Sequence, residues 1–335
     1  MNMNAWLAEL VAADAKKAMP VLSFPSAELL GVSVLELISS PEKQSAGMAA
    51  VAKCCDTAAA VSFMDLSVEA ECFGSTIRFA DNEVPTVIGG IVATMDQADA
   101  LVVPPVGAGR SGVCVDAIRQ ASRLITDRPV LAGVIGPFSL AGRLMDVTQA
   151  MLMCYDEPEI VHAVLVKVTQ FLTSYIAAFR NAGANGVLIA EPLAGVMSPD
   201  LAREFSADYV TQIIAASKTD DFAVIYHNCG GATIQQIDSI LATGASGFHF
   251  GNAIRMADML PLIPSDVPVF GNIDPAGLFR NGTPESIREA TLSLLSECSQ
   301  HRNFVISSGC DVPPGTPWAN IDAFFGAVAD FYATR

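Results

Sequence analysis

Three side chains have the types and placement of a metal site. His227 and Cys229 stand two residues apart at the end of an apolar run, so in extended backbone they face the same side. Cys310 lies far along the chain, also just past an apolar run. Two thiolates and one imidazole with a fourth position free are the ligands of a catalytic zinc; a structural zinc is closed by four protein ligands. Soft sulfur donors favour zinc over magnesium or calcium. The blander alternative is that Cys310 is core, because cysteine is among the most buried residue types.

Carboxylates and amides follow other apolar runs. Glu191 comes directly after one and is a candidate catalytic group: a fourth zinc ligand, a base near the metal, or a residue that only orients a loop through Pro192. Glu69 is a second catalytic candidate, and it shares a face with Glu71; the alternative is solvated loop charge. Asn252, Asn272 and Asp274 are candidates for holding substrate or cofactor. His162 sits on an amphipathic helical pattern and reads as packing, and His301 precedes a run, away from the others. His249 lies inside a run, facing an interior or packing. Cys54, Cys55 and Cys298 read as packing. Gly107-Ala108-Gly109-Arg110 lacks the third glycine and the strand–turn–helix context of a dinucleotide loop.

These residues need a scaffold that gathers run ends. The apolar runs are Val21–Phe24, Ala58–Met64, Val130–Ile135, Gly186–Ala190, Phe222–Tyr226, Gly247–Phe250, Val267–Phe270 and Phe304–Ile306. Their near-continuous hydrophobicity is that of strands buried on both faces, hence a parallel sheet covered by helices. Pro268 cannot donate to a ladder, so its strand begins there. The clearest helix runs from Pro158 to Arg180, with a cap at Asn181-Ala182-Gly183, and another runs from Thr283 to about Cys298. Eight runs joined by helices predict an α/β fold: one (β/α)8 TIM barrel across residues 1–335, with N-terminal helices. Cys72 to Ala100, with glycines, Pro85 and Asn82, breaks the alternation as an insertion after strand two, over one mouth. A doubly wound open sheet is the alternative. In a barrel, strand ends share one mouth, which is what the metal site requires.

The chain has 335 residues, 51% of them hydrophobic and 16% charged, which excludes a disordered chain. The formal net charge of −16 repels nucleic acid and anionic lipid, so neither is an expected partner. No uninterrupted apolar stretch predicts a transmembrane helix, and the N-terminus lacks the pattern of a signal peptide. Eight scattered cysteines fit free thiols or metal ligands better than a disulfide framework, and the cytoplasm is the default location.

With these motifs in hand, the sequence resembles the uroporphyrinogen decarboxylase superfamily, in its zinc methyltransferase branch. His-x-Cys-Gly at 227–230, and Gly309-Cys310 followed by Thr316-Pro317, look like the methylcobamide:coenzyme M methyltransferases and their bacterial corrinoid-dependent relatives. Gly136-Pro137-Phe138-Ser139-Leu140-Ala141 and Gly271-Asn272-Ile273-Asp274-Pro275 resemble motifs of the whole superfamily. Val68-Glu69-Ala70 and Glu191-Pro192 also match, the latter with Glu where Asp is expected. The resemblance spans roughly residues 15 to 333. It implies Zn2+ on His227, Cys229 and Cys310. The zinc would activate an acceptor thiol, which then takes a methyl group from a methylcorrinoid.

Decarboxylases of the superfamily carry an arginine-rich stretch near the N-terminus; here Ser23-Phe24-Pro25-Ser26-Ala27-Glu28 has no arginine. A substrate with many carboxylates needs cationic partners. The sequence also lacks an Asp-x-His-x-x-Gly cobalamin loop, so the resemblance implies a corrinoid protein as partner and a small-molecule methyl acceptor, coenzyme M or tetrahydrofolate. The competing expectations are a metal-free decarboxylase of tetrapyrrole biosynthesis and a non-catalytic relative that only docks the corrinoid protein.

Overall fold

The computed structural model describes residues 1–334. Nine strands occur in chain order: β1 (Ala60–Val61), β2 (Thr76–Ala80), β3 (Glu83–Ile88), β4 (Val130–Ile135), β5 (Gly186–Ala190), β6 (Ala223–Asn228), β7 (Gly247–Phe250), β8 (Val269–Ile273) and β9 (Phe304–Ser308). Seven of them form one sheet in the order β1-β4-β5-β6-β7-β8-β9, every pair parallel. Helices connect them, so the fold is a curled parallel α/β barrel.

The first predicted strand, Val21–Phe24, is not one, and this corrects the count of eight. The preceding backbone nevertheless fills the eighth position. Met19 N–H donates to Ile306 of β9, and Ala58 N–H, beside β1, donates to Ala18. Beyond it, Val21 N–H donates to the Ser308 hydroxyl, and the Val21 carbonyl accepts from Val312 N–H past β9. The chain then turns into the helix Ser26–Leu30, so no ladder can propagate. The second run is also shorter than expected; only Ala60 and Val61 pair with β4. β8 starts at Val269, one residue after Pro268, which contributes its carbonyl to Phe248 N–H and has no N–H to give.

The interior separates into layers. Val61, Leu131, Leu188, Ala190, Ile225, Phe270 and Val305 form an apolar cluster inside the barrel, joined by Met3 and Leu7. Those two come from the helix Met3–Ala12, whose first N–H groups bond Asp220 just before β6. That helix therefore covers the N-terminal mouth. The alternate strand residues, such as Val134, Ile189, Val224 and Phe248, pack outward against the helices. His227 and His249 share the inward parity of Ile225, pair with each other across β6 and β7, and lie above the apolar layer.

The segment from Cys72 to Ala100 holds an antiparallel hairpin, β2–β3, which the sequence pattern did not predict as strands. Its exposed positions outnumber its buried ones, so it lacks the hydrophobicity of a sheet core. Pro158–Asn181 is long and apolar enough to cross a membrane by composition alone; its most apolar window is 56% buried within the protein. Ile160, Val161, Val164, Leu165, Val168, Phe171 and Leu172 pack there, as the predicted amphipathic face requires.

Candidate metal centre

The ends of β6 and β9 bring His227, Cys229 and Cys310 together. One ligand atom from each lies within 4.8 Å of the others. His227 is buried and the two cysteines are partly buried, so the imidazole lies deepest in the site. Its Nδ1 lies 2.7 Å from His249 Nδ1, and its Nε2 is buried with no hydrogen-bond partner. An orphaned buried nitrogen is costly unless something binds it. A buried nitrogen without a partner beside two thiols fits the donor set of zinc. The neighbouring Cys310 holds the Cys229 thiol well below the usual range, against the effect of burial, while Cys229 and burial push the Cys310 thiol up.

The loops that carry the ligands are held by close backbone approaches. A Cβ on Gly251 would lie 2.4 Å from Cys229 Cβ and 2.6 Å from its Cα, so only glycine lets the post-β7 loop pass. Asn228, between the two ligands, accepts from Gly230 N–H and the Thr233 hydroxyl and donates to Tyr226, which shapes the turn that presents Cys229. The Cys310 loop is fastened on three sides. Gly309 N–H donates to Ile273 at the end of β8, Val312 N–H to Val21, and Asp311 accepts from Met64 N–H at 2.6 Å. Asp311 is partly buried, and the burial of its carboxyl raises that group well above the usual range. The sequence reading missed Asn228 and Asp311. Their adjacency to ligands was visible, but not what their side chains hold.

The other candidates lie as follows. Glu191 is fully buried and both its oxygens are taken up: Oε2 accepts from Phe138 N–H, Oε1 from Ser139 N–H and the Ser139 hydroxyl. It caps the helix Pro137–Met145 and is not among the side chains that gather at the metal position, which corrects the expectation of a carboxylate open to the mouth. Burial pushes its carboxyl up to about 7, against those hydrogen bonds. Glu69 is likewise buried, not solvated: Oε1 accepts from Ile135 N–H, Oε2 has no partner, and burial raises the group to about 7. Glu71 instead pairs with Arg110, whose buried guanidinium also binds Asp65 and Ser67. Arg110 was missed as well, because only the fold brings it to the acidic segment after β1.

Asn272 is buried and its amide donates to Gly251 and Ile254, so it braces the loop behind Cys229. Asp274 accepts from Ala276 and Gly277 N–H and starts the turn after β8. Asn252 is exposed beside Gly309 and is the one of the three with its side chain open. His162 stacks on Phe205, as packing predicts, and His301 lies in the turn before β9, at the opposite end of the barrel.

Known proteins share this architecture. A methyltransferase from Methanosarcina mazei superposes with a TM-score of 0.86 at 22% identity, covering 99% of this chain and 98% of that one. A B12-independent methionine synthase from Shewanella sp. W3-18-1 superposes at 0.66 with 12% identity, covering 95% and 97%. Among curated sequences, the methylcobamide:CoM methyltransferase MtbA of Methanosarcina acetivorans is 28% identical over 77% of this chain and 75% of its own length. A uroporphyrinogen decarboxylase of Coxiella burnetii is also 28% identical, over 82% and 77%. The profile of Uroporphyrinogen decarboxylase (URO-D) matches residues 15–331. Fold, relatives and profile agree, and the chain belongs to the uroporphyrinogen decarboxylase family.

Proposed function

We propose that this protein is a zinc-dependent methyltransferase, moving a methyl group from a protein-bound methylcorrinoid to a small thiol or folate acceptor. The reading rests on the convergence of His227 Nε2 with the thiols of Cys229 and Cys310. A decarboxylase has no use for such a donor set, and the Ser23–Glu28 region lacks the arginines that a polycarboxylate substrate would need. The similarity to a methylcobamide:CoM methyltransferase supports the same reading.

His227, Cys229 and Cys310 would hold the zinc, which would supply the Lewis acidity that keeps an acceptor thiol deprotonated at neutral pH. The two cysteines are less deeply buried than His227, so an acceptor would approach from their side. Gly251 and Asn272 fix the loop behind Cys229, and the bonds of Asp311 and Val312 fix Cys310, so the donor atoms need little reorganisation. Asn252, exposed next to Gly309, is placed to hydrogen-bond a bound acceptor.

The test is metal content together with turnover. The purified protein should hold zinc near one per chain and demethylate methylcobalamin in the presence of coenzyme M or tetrahydrofolate. Cys229→Ser should lose the zinc and the transfer together. A metal-free chain that decarboxylates uroporphyrinogen would replace this reading with the lyase. Zinc binding without methyl transfer to any thiol or folate would favour a docking relative.

A further inference from the structure

We propose that His249 and Ser307 are positioning residues that lock His227 in one tautomer, with the proton on Nδ1 and a bare Nε2 lone pair aimed at the two cysteines. This deepens the metal reading above and rests on it for its purpose, but the tautomer itself is a property of the metal-free chain.

The assignment follows from a hydrogen-bond chain in which both ends can only accept. The Ser307 hydroxyl lies 2.7 Å from the carbonyl of Met19. A carbonyl has no proton, so Ser307 donates. Its oxygen is then free to accept, and it lies 2.9 Å from His249 Nε2, which must carry the proton of that contact. His249 is fully buried and, among the described residues, its ring pairs with His227 and Ser307 and with no carboxylate, so the uncharged ring is the favoured form there. A neutral ring protonated at Nε2 is bare at Nδ1. That bare nitrogen lies 2.7 Å from His227 Nδ1, which therefore donates.

The other end agrees independently. His227 Nδ1 also lies 3.2 Å from the backbone carbonyl of His249, again a group that can only accept. Both routes put the proton of His227 on Nδ1. A neutral His227 then presents an unprotonated Nε2, buried and without a partner, on the side of Cys229 and Cys310.

The anchor of the chain is the backbone just before the segment that failed to become a strand. Met19 sits between β9 and β1, where a full ladder would have occupied its carbonyl with a backbone N–H. Because it makes a side-chain bond instead, the irregular stave of the barrel reaches the metal position through two side chains, on β9 and β7. An imidazole without such a partner divides between two tautomers and turns about its χ2 bond. A second group that takes the other ring N–H usually contributes roughly 10- to 100-fold in metal affinity.

The first measurement is the nitrogen-15 spectrum of the histidine rings in reduced, metal-free protein. His227 should show a protonated Nδ1 and a bare Nε2, and His249 the reverse. A protonated Nε2 on His227 overturns the relay, whether or not the protein binds zinc. A correct tautomer in a chain that never takes up zinc would instead overturn the metal reading and leave the relay standing.

The second measurement is zinc affinity by chelator competition. Ser307→Ala and His249→Phe should each weaken zinc by about 10- to 100-fold and populate both tautomers of His227. Ser307→Thr keeps the hydroxyl and His249→Asn keeps an acceptor, so both should recover most of the loss. Wild-type affinity in Ser307→Ala and His249→Phe, or equal losses in the conservative and disruptive variants, overturns the proposal. If His249→Phe does not fold, the Ser307 pair decides the outcome.

Discussion

At the scale of the residue, the decisive feature is how little room surrounds each ligand. Gly251 shows it most sharply, since an added methyl would press on the backbone of Cys229 and not on a side chain able to swing away. Gly251→Ala should therefore displace Cys229 and weaken zinc by about tenfold or more, in the range seen when a ligand loses its support. Gly231 is the control. It lies in the loop after Cys229, and a Cβ there meets nothing within 4 Å, so Gly231→Ala should leave zinc affinity unchanged. Equal affinities for the two variants, measured by chelator competition, would show that the loop tolerates the extra atom.

At the scale of the element, the helix Pro137–Met145 depends on a residue far from it in sequence. Its first N–H groups have no partner within the helix, and Pro137 has none to offer. Glu191, at the end of β5, supplies the acceptors at the helix N-terminus. Gly136 makes room, because a Cβ there would meet the Glu191 carboxylate at 2.5 Å. Glu191→Ala would strand buried N–H groups of Phe138 and Ser139, each costing about 1–3 kcal/mol. Unfolding in urea should therefore show a total loss of about 2–5 kcal/mol, with zinc still bound. Glu191→Gln keeps one acceptor oxygen and should cost less. If Glu191→Gln kept stability and zinc but abolished methyl transfer, Glu191 would belong to the chemistry and not to the cap.

At the scale of the whole molecule, buried carboxyls tie stability to pH. Glu69 and Glu191 are both raised to about 7, chiefly by burial. The folded protein then holds protons that the unfolded chain releases above about pH 4.5. Their stabilising contribution is complete below that value and is lost as pH rises toward about 7. The formal net charge of −16 acts in the same direction, since self-repulsion grows as carboxyls ionise. Metal-free, reduced protein should thus lose stability between about pH 4.5 and 7, by on the order of 3 kcal/mol per buried carboxyl. Glu69→Gln should flatten that slope by about the share of one group. A wild-type stability that rises across this window would contradict the burial of both carboxyls as protonatable groups.

The sequence alone determined the elements whose chemistry is local or periodic. β4, β5 and β7 span the predicted residues because continuous apolar runs buried on both faces leave one choice of secondary structure. Helix Pro158–Asn181 follows from its stripe of large apolar residues and its capping glycine at Gly183. The candidate ligand set was legible too, since His and Cys at strand ends are costly as packing and useful as donors. What only the tertiary structure decided is where each polar atom finds its partner. Glu69 and Glu191 read alike as carboxylates after strands, yet one accepts a strand N–H and keeps an orphan oxygen, while the other is spent on a helix. Val21–Phe24 has the composition of a strand, but the chain turns after Leu22 and the Ser308 hydroxyl of β9 takes the Val21 N–H. Partner choice depends on atoms distant in sequence and near in space, and periodicity carries no information about them.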